Sequence, residues 1–203
     1  MHADAERHLS GVDHVLARVI REVGPCTLRP RRNCSPYQSL VQAVTHQQLN
    51  GTAAQTILKR LIALFPGEKF PSPAAVLAAP DKQLRSAGLS RAKTAAIKDI
   101  AHKAMTGDVP TRRAAARLSD AELVTRLTEL RGVGPWTVEM FLIFTLGRRD
   151  VLPVGDYGVR CGFAKAYGWR EHPTPKELLV EGERWRPYRS IAAWYMWRVL
   201  DAK

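Results

Sequence analysis

The chain has 203 residues, 45% of them hydrophobic, with 31 Lys and Arg against 19 Asp and Glu, a net charge of +12 and a pI near 10.1. That length allows one large domain or two small lobes, and the positive excess points to a polyanion bound with salt-sensitive affinity. No apolar run approaches the ~20 residues of a spanning helix, the N-terminus lacks the basic-then-apolar pattern of a signal peptide, and Cys26, Cys34 and Cys161 fit a reducing cytoplasm and match no familiar metal spacing.

Leu9, Val12, Leu16, Val19 and Ile20 predict a first amphipathic helix that ends near Gly24-Pro25. Residues 26–36 are basic and turn-rich, a surface loop carrying Arg29, Arg31 and Arg32 whose role the sequence leaves undefined. Tyr37, Leu40, Val41 and Val44 mark a second helix, which runs into a polar interruption at His46-Gln47-Gln48-Leu49-Asn50-Gly51. A third helix carries Ile57, Leu58, Leu61, Ile62 and Phe65. Short helices follow over 74–79 and 82–87, the latter with Asp81 as its expected cap. Ser90 opens another, with Ile97, Ile100, Ala101 and Ala104 inward and an end near Gly107. Thr174, Pro175 and Glu177 predict a capped helix to about Trp185, and a last helix spans Tyr188 to Leu200. Nothing reads as a strand series or a repeat, so the expected fold is all-α.

The stretch from Leu130 to Arg160 carries the chemistry. Ser119 and Glu122 form a capping box, and Leu123, Leu127 and Leu130 recur at helical spacing behind it. Gly132 and Gly134 follow, where the missing Cβ lets another molecule approach the backbone. Pro135 suits the first turn of the next helix, which is expected to continue from Trp136 to Leu146 with Val138, Phe141, Leu142 and Thr145 on one stripe. Amides turned outward from such a hairpin suit a phosphate. Twenty residues beyond Trp136, Asp156 and Tyr157 stand beside a helix start. An isolated Asp there is ordinarily an N-cap. A phosphate gripper followed by a lone acid suggests an enzyme that holds DNA and attacks a base–sugar bond, with the N-cap reading left open by the residues alone.

Leu130-Arg131-Gly132-Val133-Gly134-Pro135-Trp136-Thr137 and Leu152-Pro153-Val154-Gly155-Asp156-Tyr157-Gly158-Val159-Arg160 resemble the hairpin and catalytic segment of the 3-methyladenine DNA glycosylase II family (AlkA/Mag type), in the helix-hairpin-helix DNA glycosylase superfamily. Thr45-His46-Gln47-Gln48-Leu49, Phe70-Pro71-Ser72-Pro73, Leu84-Arg85-Ser86-Ala87-Gly88-Leu89-Ser90 and Arg184-Trp185-Arg186-Pro187-Tyr188-Arg189-Ser190 are similar to further family segments, in family order. The resemblance implies an HhH-GPD fold of two helical lobes with a central cleft. One lobe is expected over 30–110, the other over 1–29 and 111–203, carrying the hairpin 130–136 and Asp156. The residues before Tyr37 read as helix and loop, so the N-terminal β domain of some relatives is not expected.

The resemblance further implies the roles. Asp156 would act on the sugar as its bond to the base breaks, either by stabilising oxocarbenium character or by activating water. Trp136, Tyr157, Trp197 and Met140 would line the base pocket, with Trp194 a competitor for Trp197 and core packing the alternative use of each tryptophan. Met140 stands where some relatives have a tyrosine. Leu49, with Gln48, would wedge into the gap left by a flipped nucleotide. His46 reads as a structural or loop histidine. Gly132, Val133 and Gly134, with Thr137, would hold phosphate. A structural Na+ or K+ would sit on backbone carbonyls near Leu130 and Val133, with no other cofactor required and no iron–sulfur cluster. Trp136 occupies the position of the lysine found in relatives with lyase activity, which implies a monofunctional hydrolase. The expected partner is duplex DNA containing alkylated bases, met by a cytoplasmic monomer away from membranes. The rivals are a bifunctional glycosylase/lyase acting on oxidised or mismatched bases, and a non-catalytic DNA-binding module.

Overall fold

In a computed structural model, residues 2–49 and 51–201 are described, and every regular element among them is helical. The first predicted helix is in fact two, α1 (Ala3–Val12) and α2 (His14–Val23), broken at Asp13. Asp13 leaves helical geometry (φ −148°, ψ 108°), and its Oδ1 accepts the Val15 and Leu16 amides at 3.0 and 3.1 Å. Its Oδ2 accepts the Tyr167 hydroxyl at 2.5 Å and the Trp185 indole N–H at 3.0 Å. A buried carboxylate that satisfies four donors outweighs one uninterrupted helix. Burial alone would push the Asp13 pKa up. The Tyr167, Leu16 and Trp185 hydrogen bonds, with the Arg184 charge, hold it below its ordinary value instead.

Next come α3 (Pro36–His46) and α4 (Gly51–Ala63). Ser35 and Gln38 supply α3 with a capping box absent from the sequence expectations. The short α5 (Pro73–Ala78) and α6 (Asp81–Ser86) match the expected pair, but Pro80, not Asp81, is the N-cap of α6. The Asp81 carboxylate instead pairs with Lys98 at 2.5 Å. In α7 (Arg91–Thr106), Ser90 is the cap and Ile97, Ile100 and Ala101 are buried. One further turn, α8 (Arg112–Ala115), precedes α9 (Asp120–Thr128), whose Ser119–Glu122 capping box forms as expected.

After the hairpin, α10 (Pro135–Phe141) widens into a π-helical turn over Leu142–Leu146 rather than continuing unchanged. The carbonyls there find donors outside the helix. Phe144 O accepts the Arg31 amide at 2.8 Å, and Thr145 O accepts Arg112 Nη1 at 2.7 Å. External donors of this kind satisfy a helix end that the normal ladder leaves open. The chain continues with α11 (Tyr157–Tyr167), α12 (Pro175–Glu181) leading into a 3-10 turn over Gly182–Trp185, and α13 (Arg189–Asp201).

Packing gathers residues 31–146 into one compact unit and residues 1–30 with 147–203 into another. This corrects the expected boundary near residue 110. The helix after the hairpin, α10, packs on α3, and α3 packs on α7. The hairpin therefore belongs with residues 31–110, not with the unit that carries Asp156. In the first unit Leu40, Val41, Val44, Ile97, Leu123, Val138 and Phe141 form a core, each side chain contributing ~1.5–3 kcal/mol on burial. In the second, α11 lies against α13, and Gly162 makes the crossing close, since a Cβ there would collide with the Met196 carbonyl. Phe163 stacks on Tyr167 at 4.1 Å and, like Trp185 and Tyr195, is fully buried.

Candidate active site and DNA-contact loops

Asp156 caps α11. Its Oδ1 accepts the Val159 amide at 2.8 Å and the Trp197 indole N–H at 2.9 Å, and the residue is 9% exposed. The ordinary cap and the candidate acid are thus the same group. Two donors converging on one oxygen set the plane of the carboxylate. Space for this is made by Gly158, where a Cβ would lie 3.0 Å from Trp197 Cδ1 and 3.1 Å from Asp156 Oδ1. Of the aromatics expected in a pocket, Trp197 therefore holds the acid. Tyr157, beside it in sequence, is 67% exposed and meets His172 edge-on at 5.3 Å. Trp194 is buried, with its ring edge-on to Tyr195.

The other unit brings Trp136 and Met140 together. They line a cavity of about 170 Å3 with Phe144, Ala43, Ser39, Gln42, His46 and Arg31. Arg31 donates to Gln42 Oε1 at 2.6 Å and lies 5.9 Å from the Phe144 ring centre, so a wall expected to be aromatic carries a resident cation. His46 is structural on one side, its Nδ1 lying 2.8 Å from the Gln42 carbonyl. That carbonyl can only accept, so Nδ1 carries the proton. Nothing in the spacing of residues 31, 42 and 46 announced the cavity, because the basic loop joins the α3 residues only through the fold.

The hairpin divides its labour unevenly. Gly132 adopts φ +73°, and a Cβ there would sit 2.8 Å from Ala96 Cβ, so only glycine fits. Gly134 is extended, at φ −101°. Val133 is buried and donates its amide to Leu130 O at 3.1 Å. Thr137 is 1% exposed, and its hydroxyl accepts Gln47 Nε2 at 2.9 Å. The Val133 amide and Thr137 hydroxyl, both expected at phosphate, are thus engaged inside the fold, which satisfies buried groups first. Gln48 takes φ +54° and Leu49 is 40% exposed, just after α3. Sequence reasoning missed Gln47 and Lys93. Gln47 also donates to Gly132 O at 2.9 Å, and Lys93 Nζ donates to Thr45 O and Gln47 O at 3.0 and 2.8 Å. Burial lowers the Lys93 pKa.

A glycine hairpin between α9 and α10, in an all-helical chain with a held carboxylate at the start of α11, is the architecture of helix-hairpin-helix proteins that handle DNA. Comparison with known proteins sharpens this. The chain belongs to the HhH-GPD superfamily of base excision DNA repair proteins, whose family model matches residues 41–187. It is 39% identical over 197 residues to DNA-3-methyladenine glycosylase 1 of Schizosaccharomyces pombe, covering 96% of this chain and 86% of that protein. The structure of the S. pombe 3-methyladenine DNA glycosylase Mag1 in complex with abasic DNA superposes with a TM-score of 0.92 at 38% identity, covering 97% of this chain and 96% of that one. A DNA-3-methyladenine glycosidase from Bacillus halodurans gives a TM-score of 0.80 at 32% identity, over 96% and 88% of the two chains. Among the described residues no helix is long and apolar enough to cross a membrane.

Proposed function

We propose that the protein is a monofunctional DNA glycosylase. It hydrolyses the N-glycosidic bond of alkylated bases such as N3-methyladenine and N7-methylguanine in duplex DNA, by base flipping, and leaves an abasic site. The observation that carries this is the Asp156 carboxylate, oriented by Val159 and Trp197. As the base departs, positive charge develops on the sugar, and a preorganised carboxylate stabilises it. The same group can orient the attacking water. An alkylated purine that already carries positive charge leaves without a dedicated proton donor, in keeping with a single acid. Trp136 at the lyase-lysine position gives no amine for a Schiff base.

In this reading Trp136 and Met140, with the cavity they line, receive the base. Leu49 is the wedge. The phosphate role falls to the amides of Gly132 and Gly134. Neutral carbonyls of a tight turn suit a monovalent cation rather than a transition metal. Leu130 O already accepts Val133 N–H and keeps a second lone pair for such an ion. The enzyme works as a cytoplasmic monomer, an assignment that light scattering and cell fractionation check.

The direct test is to incubate the protein with methylated duplex DNA and identify released bases by chromatography, with Asp156→Asn alongside. Release by the wild type alone supports the proposal, and equal release by both proteins removes the assignment. A covalent adduct after borohydride treatment would indicate a lyase instead.

A further inference from the structure

The segment after α3 and the glycine hairpin are linked through the side chain of Gln47. Gln47 ends α3 and directs its amide nitrogen onto two groups of the hairpin segment, Gly132 O and Thr137 Oγ1, each at 2.9 Å. Both N–H groups of the amide are thereby used. From the opposite side Lys93 grips the backbone of the same residue and of Thr45, at 2.8 and 3.0 Å. The following residue, Gln48, is held at φ +54°, and Leu49 is tied to His46 O by its amide at 3.3 Å. A non-glycine residue in the left-handed region persists where its surroundings over-determine it, and here Gln48 is the third residue of a turn closed from Leu49 N–H to His46 O, whose second residue, Gln47, is tied down on both sides. The sequence separation between Gln47 and its hairpin partners, 85 and 90 residues, rules out a local capping function for these bonds.

We propose that Gln47, clamped by Lys93, is a positioning residue that fixes Leu49 at a set distance from the hairpin, so that phosphate grip and wedge act as one rigid gauge. Driving an apolar side chain between base steps costs unstacking energy, and a wedge on a compliant loop would be pushed back rather than inserted. With the loop anchored to the element that holds the backbone, the reaction force passes into the hairpin. A duplex gripped near Gly132 then meets Leu49 at a fixed base step. This inference rests on the wedge reading of Leu49 given above.

The test is a double-mutant cycle on lesion discrimination. Fluorescence anisotropy gives Kd for a duplex with a tetrahydrofuran abasic analogue and for the same duplex undamaged, using wild type, Gln47→Met, Leu49→Ala and the double variant. Gln47→Met preserves bulk and removes both donors. Loss of two neutral hydrogen bonds is expected to lower the discrimination ratio roughly 5- to 10-fold and to leave undamaged-duplex binding within about twofold, the phosphate term being sequence-independent. Because Gln47 acts through Leu49, the double variant should be no worse than Leu49→Ala alone, whereas independent sites would add. Additive losses, or equal losses on both duplexes, overturn the inference. If Gln47→Met does not fold, Lys93→Met carries the same test, with Lys93→Arg restoring the donors and the discrimination. An unaltered ratio in Leu49→Ala removes the wedge reading together with this inference. A normal cycle in a protein that releases no base touches the proposed chemistry alone.

Discussion

Replacing Trp197 by Phe isolates the orientation of the acid. The substitution keeps an aromatic ring at the α11–α13 contact and deletes one donor, the indole N–H 2.9 Å from Asp156 Oδ1. The Val159 amide still caps the oxygen at 2.8 Å, so α11 keeps its start. What is lost is one constraint on the carboxylate plane. A hydrogen bond to an ionised group is worth about 1.5–3 kcal/mol. If that is expressed in the reacting geometry, at about 1.4 kcal/mol per factor of ten, the single-turnover rate should fall about 10- to 100-fold. The assay is release of 7-methylguanine from methylated duplex under enzyme excess, with thermal melting as the control for folding. A variant that melts like the wild type and cleaves at its rate would show that Trp197 does not set the acid, and the preorganisation argument would fail.

Gly158→Ala should act on the same pair from the other side. Its Cβ would crowd Trp197 and Asp156 Oδ1, and the expected result is a rate loss of about tenfold or more, read in the same assay. Gly132→Ala forces a side chain into a left-handed backbone against Ala96. Urea unfolding should record a loss of roughly 1–3 kcal/mol, with weaker duplex binding. Asp13→Ala removes a helix cap and orphans the buried Tyr167 and Trp185 donors, for a cost of about 3 kcal/mol. The pH dependence follows from the depressed Asp13 pKa. As pH falls the unfolded chain takes up the proton first, so the stabilisation is complete above the ordinary value of 3.8 and disappears as pH drops below it, through the lower folded-state pKa. Asp13→Asn should flatten the stability profile in that acid window, and an unchanged slope there would contradict the assignment.

Local grammar made much of the fold legible. The capping boxes at Ser119–Glu122 and Thr174–Glu177 form as read, because each is closed within four residues. The break at Asp13 was hidden, since the apolar spacing runs straight through it and its partners Tyr167 and Trp185 lie 154 and 172 residues away. The π-helical turn was hidden too, because the stripe through Leu142 and Thr145 has the same spacing whether or not carbonyls are diverted to Arg31 and Arg112. For the site, motif order pointed to Asp156, and a cap-like position cannot by itself separate structure from chemistry. Gln47 escaped notice because a polar residue at a helix end is ordinarily a local cap, and its real partners are set by tertiary packing.

One absence of atoms governs the reaction centre from a distance. Gly162 has no side chain, so the backbone of α13 at Met196 can touch α11, and the neighbouring Trp197 arrives level with the acid. A single methyl at position 162 would lever the two helices apart and withdraw the indole without altering any functional group. Position 162 should therefore tolerate mutation poorly although its residue carries no chemistry at all.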